Sequence, residues 1–176
     1  MKQTIDGYEF DFPEALELYK FDNDDNLAGE KRHGVDYMKA VDVMAEFKKC
    51  YLWIEIKEYM AEEIEEMKKE PERKTKEGKH IKNYLRNNLV RKFRDTFLYR
   101  YCENKLDKPI FYICLMNFDD AMLMAFRKEL RLQIPEGNKR QGRWEKCLLD
   151  KGHLILVNED SWNRNLNDKF GSCRKV

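Results

Sequence analysis

The sequence lacks a glycine-rich phosphate loop: its eight glycines are scattered, and neither GxxxxGK nor GxGxxG occurs. This absence argues against nucleotide-driven motor chemistry and against dinucleotide-dependent redox chemistry. The three histidines, at positions 33, 80 and 153, lie far apart and have no partner at helical or CxH spacing. Neither a histidine-based triad nor a zinc site can therefore be argued from the sequence.

Cysteine pairs and long apolar runs are also missing. The five cysteines form no CxxC pair, and an odd number of them fits reduced thiols inside a cell better than a disulfide framework. Asp6, Glu9 and Asp11 interrupt the N-terminus where a signal peptide would be apolar, and no apolar run approaches bilayer length. We expect a cytoplasmic protein that makes no use of a membrane.

An excess of basic charge is missing as well. The chain has 34 basic and 33 acidic side chains, a formal net charge of +1. Any surface for nucleic acid would therefore have to be built by local segregation of an ordinary total. The 176 residues fit a single domain over positions 1–176.

Two segments in the first half of the chain alternate apolar with polar residues. Met38–Phe47 and Tyr51–Tyr59 predict a β-hairpin whose turn is centred on Lys48 and Lys49. A shift of one residue in this register would move every side chain to the other face. The predicted apolar face pairs Val41 with Ile56, Val43 with Ile54, and Ala45 with Leu52.

The opposite face of this hairpin carries the sharpest chemical signal in the chain. There Asp42 pairs with Glu55, and Lys57 follows on the same face. Two facing carboxylates cost roughly 3–4 kcal/mol at ~4.5 Å and an effective dielectric of ~20. A cation would relieve this repulsion, and oxygen ligands suit Mg²⁺ or Mn²⁺. Lys57 could orient or deprotonate a water, so the cluster predicts metal-assisted hydrolysis.

A plainer interpretation stays open. Lys57 could simply pair with Asp42 or Glu55 on a solvent-facing hairpin of an unrelated α/β domain.

The stretch KAVDVMAEF…YLWIEIKEY resembles the motif-bearing hairpin of the PD-(D/E)XK nuclease superfamily, with Val41 in place of the nominal proline. The specific part of the match covers Met38–Tyr59. The resemblance implies that Asp42 and Glu55 are metal ligands, that the Ile56 carbonyl completes the ligand set, and that Lys57 serves the attacking water. It also implies Mg²⁺ or Mn²⁺ as the cofactor.

The superfamily often draws a further carboxylate from its first helix. Pro13 followed by EALELYK predicts such a helix, and Glu17 is the preferred third metal ligand. Glu14 and Glu30 are the next candidates. His33 could also reach the metal face.

The rest of the chain predicts a mixed central sheet flanked by helices, similar to the αβββαβ core of the restriction endonuclease-like fold. The first strand of that core is sought in Gly7–Phe12 or around Val35. The other predicted elements are a short helix before Pro71 within a charged segment near 62–80, a long helix at His80–Asn104, a central parallel strand at Pro109–Met116, a helix at Asp119–Leu130, a strand at His153–Val157 and a polar, frayed tail at 161–176.

Basic residues in two places could contact a phosphate backbone, although charge on an outer helix face is usually only solvated. On the long helix these are Lys82, Arg86, Arg91 and Arg94, and in a later loop they are Lys139, Arg140 and Arg143, followed by Trp144 for base stacking.

The combined prediction is a metal-dependent nuclease that hydrolyses phosphodiester bonds in DNA. The alternative is a catalytically inactive nuclease-fold module that binds nucleic acid or a protein partner. A homodimer or a larger complex is left open.

Overall fold

The protein is described by a computed structural model at residues 1–22, 35, 37–69, 81–134, 136–137 and 145–176. In chain order its elements are β1 (Lys2–Ile5), β2 (Tyr8–Asp11), β3 (Ala15–Lys20), β4 (Val43–Phe47), β5 (Tyr51–Lys57), α1 (Ala61–Lys69), α2 (Ile81–Cys102), β6 (Ile110–Met116), α3 (Asp120–Leu130), β7 (Leu154–Val157), α4 (Glu159–Asn165), α5 (Asn167–Phe170) and β8 (Ser172–Lys175).

The larger of two sheets has five strands in the order β3-β4-β5-β6-β7. Strands β3, β4 and β5 form an antiparallel meander, whereas β6 runs parallel to β5 and β7 parallel to β6. Helix α2 provides the long crossover that a parallel β5–β6 pair needs. The chain is therefore a mixed α/β protein with a mixed sheet flanked by helices, as predicted.

Each face of the large sheet has its own covering layer. On one face, α2 and α3 pack over side chains such as Trp53 and Tyr112, and Trp53 lies 5.7 Å from the Phe93 ring of α2. On the other face lies the small sheet β1-β2-β8 with α4, where the Trp162 ring stacks on Phe12 at 5.9 Å. Strand β6 is buried at every position, as its continuous apolar run predicted.

The register of the β4–β5 hairpin was predicted correctly. Val43 pairs with Ile54 and Ala45 with Leu52. Val41, however, does not join that apolar face, because the chain bends at Asp42 before β4 begins. Its side chain lies in the core under α2 instead, and its backbone N–H donates to Thr96 Oγ1 of α2 at 3.1 Å.

The segment predicted as the first helix is strand β3, so that prediction was wrong. The location proposed around Val35 lies mostly outside the described residues. A β-bulge between Ala15 and Glu17 leaves Ala15 and Leu18 on the same buried face. The resulting three-residue spacing imitates a helical period, and pairing with β4 decides the conformation. Tyr8–Asp11, one of the two proposed locations, is a strand of the small sheet.

The C-terminal segment is ordered rather than frayed, which corrects the prediction for 161–176. Trp162, Leu166 and Phe170 are buried at four-residue intervals, the spacing of one helical face. Cys173 follows on β8 and is completely buried against β2. These four apolar side chains bind the tail to the core despite its many polar residues.

The remaining predicted elements occur with small differences in their ends. Helix α1 accounts for 61–69 of the charged segment, and 70–80 lie outside the described residues. Asp119 caps α3 by accepting from the Met122 backbone N–H. None of the helices in the described ranges has the length and apolar character needed to cross a bilayer.

Candidate active site

Asp42 and Glu55 come together at one end of the hairpin, as the predicted register requires. Asp42 lies at the bend before β4, and its Oδ2 accepts a 2.7 Å hydrogen bond from the Ile56 backbone N–H. Glu55 projects from β5 toward α2 and is completely buried. The hydrogen bond from the Ile56 N–H fixes the Asp42 carboxylate beside the strand that carries Glu55 and Lys57.

A lysine that the sequence analysis missed joins the two carboxylates. The Nζ of Lys92, on α2, lies 2.7 Å from Asp42 Oδ1 and 3.0 Å from Glu55 Oε1. It also lies 3.1 Å from Oδ2 of Asp22, which follows the end of β3. Burial disfavours the ammonium, but the carboxylates of Glu55 and Asp42 outweigh that effect and raise the pKa of Lys92 above its ordinary value. Lys92 is therefore a buried cation shared by three acids.

A sequence signal for Lys92 did exist. It lies three positions after Leu89 and four before Thr96, both fully buried, so it belongs to the inward stripe of α2. A lysine in such a stripe needs a buried partner.

The electrostatic environment of Glu55 is unfavourable to its charge. Burial first, and then the neighbouring Asp42 carboxylate, raise the pKa of Glu55 to about 7, while the ammonium groups of Lys92 and Lys57 offset part of the shift. Among the described residues, neither oxygen of Glu55 has a well-aligned hydrogen-bond donor, although the ammonium groups of Lys57 and Lys92 lie 2.5 and 3.0 Å from Oε1. A completely buried carboxylate oxygen without a donor is the kind of exception that calls for an unseen ligand.

Lys57 reaches the site from the outer side. Its Nζ lies 2.5 Å from Glu55 Oε1 and donates to the Ile56 carbonyl at 3.0 Å. The Lys57 side chain is 23% exposed to solvent, whereas that of Lys92 is buried. The contact between Lys57 and Glu55 anticipated in the plainer interpretation does occur, but Glu55 is buried rather than solvent-facing.

The backbone around the site is held by side chains from two other elements. Asp95 of α2 accepts from the Lys39 N–H at 2.9 Å, so α2 supports the segment leading to Asp42. Asn117, after β6, accepts from the Tyr59 N–H and donates to the Tyr59 carbonyl, at 3.0 and 2.7 Å. The ends of β5 and β6 are thereby fixed next to Lys57.

The donor atoms suit a hard divalent cation. Asp42 and Glu55 supply carboxylate oxygens and Ile56 a carbonyl, and Mg²⁺ is commonly held by one or two carboxylates with water completing its shell. The described part of the chain contains no group of three or more His, Cys, Asp and Glu side chains arranged to hold a metal. The residues therefore fit a site of two carboxylates and one carbonyl, and its most telling feature is Glu55, whose buried oxygens have no well-aligned donor in the ranges that the structure describes.

Glu17, predicted on a helix, lies on strand β3. It pairs with Glu46, at the end of β4 remote from Asp42, and therefore does not belong to this site. The Phe21 N–H donates to the Asp42 carbonyl at 2.8 Å, and the next residue, Asp22, is the acid that β3 actually brings to the cluster. Glu14 lies in the turn before β3, and Glu30 and His33 lie outside the described residues.

The three α2 arginines predicted to bind nucleic acid each have a partner within the protein. Arg86 contacts Glu129 at 3.3 Å, Arg91 contacts Asp95 at 3.4 Å, and Arg94 donates to the Gln133 carbonyl at 3.0 Å. Lys82 is half-buried in the first turn of α2. Lys139, Arg140 and Arg143 lie outside the described residues.

Comparison with known proteins does not supply a family. No family model, no curated protein and no solved structure matches the chain.

Proposed function

We propose that this protein is a metal-dependent nuclease of the PD-(D/E)XK type that hydrolyses phosphodiester bonds in DNA. One observation carries the proposal: Asp42, Glu55, Lys57 and the Ile56 carbonyl meet at one end of a hairpin, and within the described part of the chain the buried oxygens of Glu55 have no well-aligned hydrogen-bond donor. A buried charge in a protein is paired, hydrogen-bonded or bound to a metal ion, so a buried carboxylate such as that of Glu55 is suited to bind a cation.

The order of the sheet supports the same proposal. The β3-β4-β5 meander, helix α2 and parallel strand β6 follow the βββαβ part of the αβββαβ core. The chain departs from that core at its start, where residues 1–14 form β1 and β2 instead of a helix.

The residues of the chain have separate roles in this proposal. Asp42 and Glu55 would hold Mg²⁺ or Mn²⁺, with the Ile56 carbonyl. The bound ion would supply Lewis-acid polarisation of a phosphate oxygen and increase the acidity of water. Lys57, the more exposed of the two site lysines, would position the attacking water and stabilise negative charge on the phosphate. Asn117 and Thr96 fix the backbone that carries these groups.

The decisive experiment is a cleavage assay on double- and single-stranded DNA and on RNA with Mg²⁺ or Mn²⁺. Glu55→Gln and Lys57→Ala should each lower the cleavage rate by at least about a hundredfold, because each removes a charged group that acts in the transition state. Glu62→Gln, an exposed residue of α1, is the matched control and should cleave like the wild type. Full cleavage by folded Glu55→Gln protein would exclude the proposed role.

A second candidate function is a catalytically inactive module that binds nucleic acid or a protein partner. The observation that favours it is the Lys92 ammonium, which already forms ion pairs with Asp42 and Glu55 where a metal ion would bind. DNA binding that persists in EDTA, without cleavage of DNA or RNA in any divalent metal, would support this alternative over the nuclease.

A further inference from the structure

The Lys92 ammonium lies where the ligand oxygens of the site converge. Its Nζ is within 3.1 Å of one oxygen each from Asp42, Glu55 and Asp22. A positive charge surrounded by three carboxylates at these distances has the electrostatic surroundings of a bound cation.

Such a lysine is costly to keep in a protein core. Leu85, Leu89 and Phe93, on the same inward surface of α2, are all buried apolar residues. An apolar side chain in place of Lys92 would avoid the desolvation of an ammonium, but it would remove the cation that Asp42 and Glu55 share and leave Lys57 to offset the charge of Glu55. Lys92 thus stabilises the pair of carboxylates when no metal ion is bound.

We propose that Lys92 is a tethered counter-ion that a divalent cation displaces, and that Asp22 retains the ammonium after displacement. The inference rests on the metal site of the proposed function. It adds that Lys92 and Asp22 set the affinity of that site for a divalent cation. Metal binding then becomes an exchange of one cation for another rather than a simple addition.

The surroundings of Lys92 allow this exchange. Its flexible four-carbon side chain can move the ammonium without moving α2. Asp22 lies at the outer edge of the cluster with 30% of its side chain exposed, compared with none for Glu55. A small outward movement would therefore preserve the contact with Asp22 and partly rehydrate the ammonium while it vacates Asp42 and Glu55.

Calorimetric titration of Mn²⁺ into four proteins tests the exchange: the wild type, Lys92→Gln, Asp22→Asn and the double variant. Removal of the competing charge in Lys92→Gln should tighten Mn²⁺ binding by roughly tenfold or more. Asp22→Asn should weaken it several-fold, since the displaced ammonium loses its acceptor. In the Lys92→Gln background, Asp22→Asn should have no further effect. Lys128→Gln, an exposed lysine of α3, is the control for loss of one positive charge.

The outcomes separate this inference from the proposed function. Equal Mn²⁺ affinity in the wild type and Lys92→Gln would overturn the exchange while leaving the metal site intact. An equal loss from Asp22→Asn in both backgrounds would make Asp22 a metal ligand rather than an acceptor for Lys92. Absence of Mn²⁺ binding in both the wild type and Lys92→Gln would overturn the metal site and the exchange together.

The stability of Lys92→Gln gives a second readout. Without metal this variant should unfold at a lower temperature than the wild type, because Asp42 and Glu55 have lost their shared ammonium. Mn²⁺ should then raise its melting temperature by more than it raises that of the wild type. A Lys92→Gln protein that Mn²⁺ fails to stabilise, when the wild type does bind Mn²⁺, would contradict the exchange.

Discussion

Among the residues that the structure describes, two glutamates are completely buried, and their surroundings differ. Glu136 Oε1 accepts from the backbone N–H groups of Gly152 and Leu154 at 2.7 and 3.3 Å, and its two oxygens meet Arg127 and Arg131. Glu55 has no backbone donor among the described residues, and its ion-pair contacts there are the side chains of Lys57 and Lys92.

Under the proposed function, this difference is the one between a structural carboxylate and a metal ligand. Fixed donors stabilise the charge of Glu136 and fasten the segment after α3 to the start of β7. Among the described residues, the groups that offset the charge of Glu55 are the flexible ammonium groups of Lys57 and Lys92, which in the proposed exchange can move when another cation binds.

Matched amide substitutions should reveal this contrast in stability. Glu136→Gln should lower the free energy of unfolding by about 2–4 kcal/mol, because it leaves Arg131 without its charged partner inside the protein. Glu55→Gln should change the free energy of unfolding by less than about 1 kcal/mol at pH 8 without metal. The substitution removes a poorly solvated charge and also the attraction of that charge to the lysines, and these two effects oppose each other. Urea unfolding monitored by tryptophan fluorescence measures both values. Equal losses in the two variants would remove the distinction between the glutamates.

The dependence of stability on pH should sharpen the comparison. The pKa of Glu55 is raised to about 7 by burial and by Asp42, whereas the unfolded chain keeps the ordinary value near 4.5. Between these two values the folded protein binds more protons than the unfolded chain, so this group stabilises the fold at low pH and loses that contribution as pH rises through about 7. The difference in unfolding free energy between wild type and Glu55→Gln should therefore fall by about 2–3 kcal/mol from pH 5 to pH 8. A difference that stays constant over this range would mean that Glu55 is ionised throughout.

A smaller effect is expected at the hydrogen bond that supports Asp42. Thr96→Val keeps the shape of the side chain but removes the acceptor of the Val41 N–H, a buried contact of 3.1 Å. The variant should lose about 1–2 kcal/mol of stability. Its Mn²⁺ affinity should also fall, because Asp42 follows Val41 directly. Thr4→Val, at an exposed position of β1, is the control. Unchanged Mn²⁺ affinity in Thr96→Val would show that α2 does not position Asp42.

The sequence predicted the hairpin well for a local physical reason. Alternation of apolar and polar residues, together with a short turn, specifies both strands and their register, so Asp42 and Glu55 could be placed together from positions 38–59 alone. The same reasoning failed at β3, where the bulge after Ala15 replaces strand alternation with a helix-like spacing.

The missed members of the site come from distant parts of the chain. Lys92 is 50 positions from Asp42 and 70 from Asp22, and nothing in the local pattern of either acid indicates that contact. Only the packing of α2 on the sheet brings them together. Burial of the inward stripe of α2 was predictable, and a lysine within it was the available clue.

The most direct test of the central claim is calorimetric titration of Mn²⁺ into the wild type and into the Asp42→Asn/Glu55→Gln double variant. The account predicts binding in the wild type that disappears in the folded double variant, because both carboxylate ligands have lost their charge. Mn²⁺ binding of equal strength in the two proteins, or none in the wild type, would contradict it.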